Sequence, residues 1–274
     1  MSRIQACFER LRRNGRKALI PYITAGDPEP SISVALLHAL VAAGADILEL
    51  GVPFSDPMAD GPVIQAACER ALKHHVSLRN VLAMVREFRT QDRDTPIVLM
   101  GYLNPFEIMG YETFAAAAQD AGVDGVLTVD LPPEEAADFS RALRAVHIDP
   151  IFLLAPNSTA ERIARIAKAA SGFVYYVSLK GVTGAASLDV AGVARKLDEI
   201  RAITTLPVGV GFGIQDADSA ARVAAVADAV IVGTAIVRKL GELQGQRERI
   251  LTEIPAVIAA MRMAMDEAQR AVSS

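Results

Sequence analysis

Two kinds of hydrophobic pattern alternate along the chain. Short runs rich in Val, Ile and Leu are followed by longer Ala- and Leu-rich segments with helical periodicity. Strands that are apolar on both faces are typical of a parallel sheet covered by helices. The short runs predict eight strands: Ala18–Thr24, Asp46–Gly51, Pro96–Tyr102, Gly125–Asp130, Pro150–Leu154, Phe173–Ser178, Pro207–Gly211 and Ala229–Gly233.

Candidate helices lie between these strands. Eight successive strand–helix units indicate an α/β fold of the (β/α)8 TIM-barrel type, for which about 250 residues is typical. A doubly wound open sheet is the alternative, but no G-x-G-x-x-G follows the first strand. Because no Ser- or Pro-rich linker divides the chain, we expect one domain over residues 1–274. The helices are predicted at Ser31–Ala43, Val63–Lys73, Leu78–Arg89, Tyr111–Ala121, Ala136–Val146, Thr159–Ala169, Leu188–Arg201 and Asp216–Ala225.

Helical periodicity also predicts elements at the two ends of the chain. Ile4, Cys7, Phe8 and Leu11 share one face of an amphipathic N-terminal helix, which we expect to close the bottom of the barrel. Ile250–Arg270 form the last helix.

A short repeat marks three of the strand entries. It reads Ala-Gly-Ala-Asp at residues 43–46, Ala-Gly-Val-Asp at 121–124 and Val-Ala-Asp at 226–228. Each copy ends a helix, turns and leads into an apolar strand, as repeated strand–helix units require.

Composition excludes several classes of protein. The chain is 51% hydrophobic with a net charge of −4, which excludes a disordered chain. No apolar run reaches the roughly 18 to 20 residues that span a membrane, and charged residues near the N-terminus argue against a secretory signal. Nothing in this slightly acidic composition indicates nucleic acid. We therefore expect a soluble, cytoplasmic protein with no membrane or nucleic-acid partner. No metal is expected, because no His, Cys or acid cluster has ligand spacing.

A carboxylate stands near the end of the second strand. Strand alternation places Glu49 and Ile47 on one face of the strand. Both faces of a barrel strand are normally apolar, so a carboxylate there is expected to be ion-paired, open to a cavity or functional. The proline-containing loop that follows holds Asp56 and Asp60. Two carboxylates in unlike environments can divide acid and base duties. An ion pair or solvated strand end is the alternative for Glu49, and turn formation is the alternative for the two aspartates.

Glycine-rich segments follow the last three strands. They are Gly181-Val182-Thr183-Gly184, Gly211-Phe212-Gly213 and Gly233-Thr234-Ala235, the last of which opens a short extra helix. Glycines let backbone N–H groups approach an anion, and a helix N-terminus attracts negative charge. Many barrels bind phosphate after strands seven and eight. Each segment alone indicates a tight turn, but together they predict a site for a phosphate ester.

Bulky side chains at other strand ends are candidates to line an apolar slot between the acids and the glycines. The alternative for any one of them is the barrel core. They are Tyr22, Met100, Tyr102, Leu127, Tyr175 and Phe212.

The run LELGVPFSDPMADGP at residues 48–62 resembles the signature of the tryptophan synthase alpha chain family. The likeness extends through PYITAGDP at 21–28, GVTG at 181–184, GFGI at 211–214 and GTAIV at 233–237, and it covers nearly the whole chain. It implies a carbon–carbon lyase of tryptophan biosynthesis that cleaves indole-3-glycerol phosphate to indole and D-glyceraldehyde 3-phosphate. It also implies a beta-chain partner in an alpha2beta2 heterotetramer, with indole channelled to that partner. No cofactor is expected on this chain; pyridoxal phosphate is expected on the beta chain.

The resemblance also implies roles for individual residues. The catalytic acids would be Glu49 and Asp60, supported by Tyr175. Substrate would lie among Tyr22, Leu127, Thr183 and Phe212, with Met100 lining the slot. Phosphate would be held by Gly184, Gly213, Gly233 and Thr234. The partner would contact Asp56, Pro57, Asn104 and Pro132.

Two positions depart from the pattern of many relatives. Leu179 and Lys180 stand where Arg and Ser are common, which puts any contact of that arginine with the Lys180–Ala185 lid in doubt. Thr234 replaces a frequent serine and keeps the hydroxyl. Three alternatives stay open: another phosphate-binding barrel that uses two acids on a sugar phosphate, a weakly catalytic subunit that regulates the beta chain, and a stand-alone producer of indole.

Overall fold

The structure, a computed structural model, describes residues 2–178, 189–211 and 213–273. Within these ranges, eight parallel strands pair in chain order and β8 closes on β1. The closed barrel confirms the TIM-barrel prediction and excludes the open sheet. The strands are β1 (Ala18–Thr24), β2 (Leu48–Gly51), β3 (Ile97–Gly101), β4 (Gly125–Thr128), β5 (Asp149–Leu154), β6 (Val174–Val177), β7 (Val208–Gly211) and β8 (Ala229–Val232).

Every predicted helix is present to within a few residues, including the short extra helix after β8. Sequence patterning missed α5, because seven residues directly after a strand are too few to establish a helical period. The helices are α1 (Arg3–Arg13), α2 (Pro30–Ala42), α3 (Pro62–Lys73), α4 (Leu78–Phe88), α5 (Leu103–Met109), α6 (Tyr111–Ala121), α7 (Ala137–Ala145), α8 (Ala160–Ala169), α9 (Val190–Arg201), α10 (Ala217–Ala224), α11 (Thr234–Glu242) and α12 (Arg247–Ser273). No helix in these described ranges has both the length and the apolar character to cross a membrane.

The apolar side chains form an inner and an outer layer. The inner layer fills the barrel and includes Ile20, Ile47, Val98 and Ile231 from the strands. The predicted apolar face of α1 packs into this layer from below, and all four of its residues are buried. The outer layer lies between the strands and the surrounding helices. This arrangement explains why the strands are apolar on both faces.

The aspartate of each repeat connects neighbouring strands at the amino-terminal end of the barrel. The carboxylates of Asp46, Asp124 and Asp228 accept hydrogen bonds from N–H groups that begin the preceding strands. Their donors are Leu19 at 3.0 Å, Ile97 at 2.8 Å and Val208 at 2.9 Å, respectively. The repeat therefore joins one strand–helix unit to the next. It leaves the opposite, carboxyl-terminal end of the barrel to the loops that carry the candidate site.

Candidate functional site

Glu49 points into the barrel from β2. It pairs in register with Tyr22 on β1 and with Val98 on β3, and it shares its face with buried Ile47. The residue is 1% exposed. Neither carboxylate oxygen has a hydrogen-bond partner among the residues that the structure describes. The ion pair considered from the sequence is therefore not found in this part of the chain.

The environment of Glu49 favours its protonated form. Burial, followed by the negative charge of Asp60, raises the pKa of this carboxyl from 4.5 to about 8. A carboxylate without hydrogen-bond donors is poorly solvated, so ionisation inside the barrel is unfavourable. At neutral pH Glu49 is mostly a carboxylic acid that can donate a proton.

Asp60 lies in the loop between β2 and α3. Its Oδ2 accepts a hydrogen bond of 2.9 Å from the Tyr102 hydroxyl, and that hydroxyl oxygen accepts one of 2.9 Å from the N–H of Ala59. The side chain of Gln65 donates to the Asp60 carbonyl at 2.9 Å. Burial raises the pKa of Asp60, while the hydrogen bond from Tyr102 opposes that rise. Asp60 is thus held at both its side chain and its backbone.

Two tyrosines lie close to both acids. Burial, and then the negative charges of Glu49 and Asp60, raise the pKa of Tyr175 well above its ordinary value. Burial is also the largest cause of the raised pKa of Tyr22, and both acids add to it. The Tyr22 and Thr24 hydroxyls are 3.1 Å apart and hydrogen-bonded. The structure therefore brings the two acids and two of the candidate tyrosines into one electrostatic environment.

The remaining candidate substrate residues occupy different depths. Met100 is partly exposed and contacts two apolar groups, the inner layer and a small cluster around Tyr22, Val63 and Ile64. Leu127 pairs with Met100 in register and is fully buried in the inner layer. Thr183 and Phe212 lie outside the described residues.

The candidate phosphate residues follow β7 and β8. Gly213 has a φ of +79°, a left-handed conformation in which an L side chain would be strained, and it is exposed. Gly233 directly precedes α11, and Thr234 is the exposed first residue of that helix. An anion at this position would meet unpaired N–H groups and the positive end of the helix dipole. Gly184 and the Lys180–Ala185 lid lie outside the described residues.

The candidate partner residues lie at the same end of the barrel. Asp56 and Asn104 are exposed, and Pro57 and Pro132 are partly exposed. Two large apolar side chains accompany them: Met58 in the loop of Asp56 and Ile108 in the helix of Asn104, each 80% exposed. Scattered apolar side chains are common on surfaces, but two that accompany the predicted contacts are suited to an interface.

No group of three or more His, Cys, Asp or Glu residues within the described ranges is arranged to hold a metal ion. The candidate site is built instead from two acids, tyrosine hydroxyls and backbone N–H groups. Such a set can transfer protons and bind an anion.

Tyr102 is the candidate site residue whose polar role the sequence did not indicate. Its position at the end of a predicted strand suggests only an apolar lining residue. In the structure, its ring stacks on Phe54 with the ring centres 5.1 Å apart, and its hydroxyl contacts Asp60. The signal available in the sequence was a hydroxyl at a carboxyl-terminal strand end, next to the strand that carries Glu49.

The comparisons with known proteins all indicate the same family. The sequence profile described as tryptophan synthase alpha chain matches residues 8–266. The tryptophan synthase alpha chain of Thioalkalivibrio sulfidiphilus is 68% identical over 266 residues, covering 97% of this chain and 100% of that protein. The tryptophan synthase alpha chain of Alkalilimnicola ehrlichii is 61% identical over 274 residues, covering 100% of both chains.

Solved structures show the same likeness. Tryptophan synthase subunit alpha from Legionella pneumophila superimposes with a TM-score of 0.92 at 47% identity, covering 97% of this chain and 99% of that one. A chain of Mycobacterium tuberculosis tryptophan synthase gives a TM-score of 0.87 at 39% identity, covering 96% and 98% of the two chains. The similarity thus extends over both sequence and fold.

Proposed function

The chain belongs to the tryptophan synthase alpha chain family, a family of lyases in tryptophan biosynthesis, and on that premise we propose that it cleaves indole-3-glycerol phosphate. The products are indole and D-glyceraldehyde 3-phosphate. The observation that carries the proposal is Glu49, a buried carboxyl with a pKa of about 8 beside Asp60. Such a group holds a proton at neutral pH and can release it inside the barrel.

The reaction is a reverse aldol cleavage with a balanced exchange of protons. Glu49 donates its proton to C3 of the indole ring, which makes that carbon tetrahedral and the ring cationic. The glycerol hydroxyl next to the scissile bond then loses its proton to the Glu49 carboxylate. The electrons of that O–H bond form the aldehyde, and the C–C electron pair returns to the indole ring. Glu49 ends the cycle protonated.

Asp60 stabilises the positive charge that develops at the indole N–H. A carboxylate acts most strongly there when water is excluded and the group is fixed in advance. The contacts of Asp60 with Tyr102 and Gln65 support this role, because they hold the residue in place before substrate arrives. Tyr175 and Tyr22 border the acids and, with Met100 and Leu127, form the proposed apolar surroundings of the indole ring. The proposal also includes Thr183 and Phe212.

The phosphate is proposed to bind on the side of β7 and β8. Gly213, Gly233 and Thr234 support this, since they present backbone N–H groups and a hydroxyl around the start of α11. Gly184 is the fourth proposed contact. Anchoring the phosphate here fixes the glycerol chain, so that the indole end reaches Glu49 and Asp60.

The family to which the chain belongs is named as an alpha chain, which implies a beta-chain partner. We propose an alpha2beta2 heterotetramer in the cytoplasm, with pyridoxal phosphate on the beta chain and none on this chain. Asp56, Pro57, Asn104 and Pro132 form the proposed contact surface. Exposed Met58 and Ile108 support it by adding apolar area beside the polar contacts.

The test is indole release from indole-3-glycerol phosphate, measured with and without the beta chain. Glu49→Gln and Asp60→Asn should each lower turnover by roughly 10²- to 10⁴-fold, the range expected for loss of acid–base or electrostatic catalysis. Asp138→Asn is the matched control, because this aspartate is exposed on α7, away from the acids. Its turnover should equal that of the parent chain.

Two results would overturn the proposal. Parent-level turnover in Glu49→Gln would remove its role as proton donor. Absence of indole release by the parent chain with its partner would point to a different substrate. If Glu49→Gln loses indole release but still activates the beta chain fully, both the lyase activity and a separate regulatory role are established.

A further inference from the structure

A groove opens at the amino-terminal end of the barrel, the end opposite the candidate site. Its volume is about 640 Å³, and it lies between α1 and the segments that lead into β1, β6, β7 and β8. Phe8 and Leu11 line it from α1, and Thr205 and Asp228 line it from the segments that lead into β7 and β8. A concavity of this size is typical of a binding site for a small organic molecule.

Positive charge exceeds negative charge around this groove, although the chain as a whole carries a net charge of −4. The groove is bordered by four cationic and two acidic side chains: Arg12, Arg16, Lys17 and Arg201, with Glu9 and Asp228. Such a local excess attracts anions.

Three of the four cations have acidic partners. Arg16 forms a two-pronged ion pair with Asp266, at 3.1 and 3.0 Å. Lys17 and Arg201 share Asp228, at 3.8 and 3.2 Å. One carboxylate thus faces two cations, which leaves one positive charge without compensation.

Arg12 supplies a second uncompensated charge. Its side chain is exposed and has no hydrogen-bond or ion-pair partner among the described residues. Glu9, the other acid of the groove, lies 4.0 Å from Arg13, which does not line the groove. About two positive charges are therefore available to a ligand.

The floor between these charges is apolar. Leu206 and Pro207, which are partly exposed, supply most of its surface, and the buried ring of Phe8 lies at its base, 5.8 Å from the ring centre of Phe173. A flat ring placed on this floor would displace water from apolar area, while its charged group would reach the arginines.

We propose that this groove binds a small organic anion in which a doubly charged phosphoryl group is attached to an apolar ring. The ring packs over Leu206 and Pro207. Arg12 and Arg201 donate hydrogen bonds to the phosphoryl oxygens, for which guanidinium groups have the matching planar geometry. The site is independent of the lyase reaction, because the strands place it at the other end of the barrel.

The absence of tryptophan from the chain allows a selective reporter. A single tryptophan introduced by Thr205→Trp, at an exposed lining position, reports on this groove alone. Met263→Trp, at an exposed position on α12 outside the groove, is the matched reporter. The probe is phenylphosphonate. Benzyl alcohol supplies the ring without charge, and inorganic phosphate supplies the charge without a ring.

Phenylphosphonate should change the emission of Thr205→Trp saturably and leave that of Met263→Trp unchanged. Adding Arg12→Ala should raise the apparent dissociation constant roughly tenfold, the loss expected for a charge-assisted hydrogen bond. Arg79→Ala, an exposed arginine of α4 outside the groove, should leave it unchanged. Indole release of Thr205→Trp serves as the check on folding.

Three outcomes would overturn the proposal. These are no saturable change in Thr205→Trp, an equal response of Met263→Trp, and an Arg12→Ala response equal to that of the parent reporter. Equal affinity for inorganic phosphate or for benzyl alcohol would overturn it as well, because the ring or the charge would then add nothing to binding. None of these outcomes bears on the indole-release assay.

Discussion

The Tyr102 hydroxyl lies between Asp60 and the backbone of Ala59, and it forms a 2.9 Å hydrogen bond to each. It donates to the Asp60 carboxylate and accepts from the Ala59 N–H. One side chain at the end of β3 therefore holds both the acid and the loop that carries it.

Tyr102→Phe removes this link and keeps the ring. The pKa of Asp60 should rise further, because the hydrogen bond that lowers it is lost. We expect turnover to fall roughly 10- to 100-fold, corresponding to a hydrogen bond to a charged group, and the acidic limb of the pH–rate profile to move to higher pH.

The measurement is the pH dependence of indole release with the beta chain present. Tyr111→Phe is the control, because this tyrosine lies on α6 against Phe139, away from the acids. An unshifted acidic limb in Tyr102→Phe would show that the hydrogen bond does not tune Asp60.

Glu49→Gln should stabilise the fold in alkaline solution. The pKa of Glu49 is about 8 in the folded chain, against an ordinary value of 4.5. Between these values the folded chain keeps a proton that the unfolded chain has lost. The parent therefore loses stability as pH rises from 4.5 to about 8, with no further loss above that. Glutamine does not ionise, so the variant escapes this loss.

The difference in unfolding free energy between Glu49→Gln and the parent should be small near pH 5 and about 3 to 5 kcal/mol near pH 9. Urea denaturation at the two pH values measures it. Glu112→Gln, at an exposed position on α6, is the matched control. A difference in unfolding free energy that is the same at both pH values would contradict the raised pKa of Glu49.

Gly51→Ala should disturb Tyr22. A Cβ atom built on Gly51 would lie 2.2 Å from the Tyr22 hydroxyl oxygen, far inside van der Waals contact. Because Tyr22 is buried and bonded to Thr24, it has little freedom to move. We expect the variant to lose about 1 to 3 kcal/mol of stability, as overpacked cores do.

Chemical denaturation of Gly51→Ala gives that loss directly. Gly61→Ala, in the loop that follows β2, is the control, since a Cβ there meets nothing within 4 Å. Because Gly61 is the cap residue before α3 and alanine caps less well than glycine, this variant should lose less than about 1 kcal/mol. Equal stabilities of the two variants would mean that Tyr22 relaxes without cost.

Asp124→Asn should weaken the amino-terminal end of the barrel. The buried Asp124 carboxylate accepts hydrogen bonds from the N–H of Ile97 and from Arg3 and Arg89, all at 2.7 to 2.8 Å. Loss of its charge removes the ion-pair partner that the largely buried Arg89 has among the described residues, and only the more distant charges of Asp92 and Asp94 remain. The expected loss is about 3 to 5 kcal/mol, as for a broken buried ion pair.

Thermal or urea unfolding tests this prediction, with Asp120→Asn as the exposed control on α6. A loss no larger than that of the control would show that water replaces the carboxylate at this end of the barrel.

Local pattern alone was sufficient to identify the eight strands and to place Glu49 on the same strand face as Ile47, which the structure shows to be the inner one. Both follow from short-range rules, because the two-residue period of a strand decides which side chains share a face. The position of Asp60 in a proline-stiffened loop was also readable, as were the glycines before α11. These features depend only on residues close together in the sequence, so they can be read from the sequence without the fold.

Tertiary structure decided what surrounds these residues. The raised pKa of Glu49, and its lack of a hydrogen-bond partner among the described residues, depend on side chains from several strands. The bond between Tyr102 and Asp60 joins residues 42 positions apart. The groove at the opposite end combines residues 5–17 with Gly172 and residues 201–228. Solvation and electrostatic energy depend on distances in space, and only closure of the barrel brings these separated segments together.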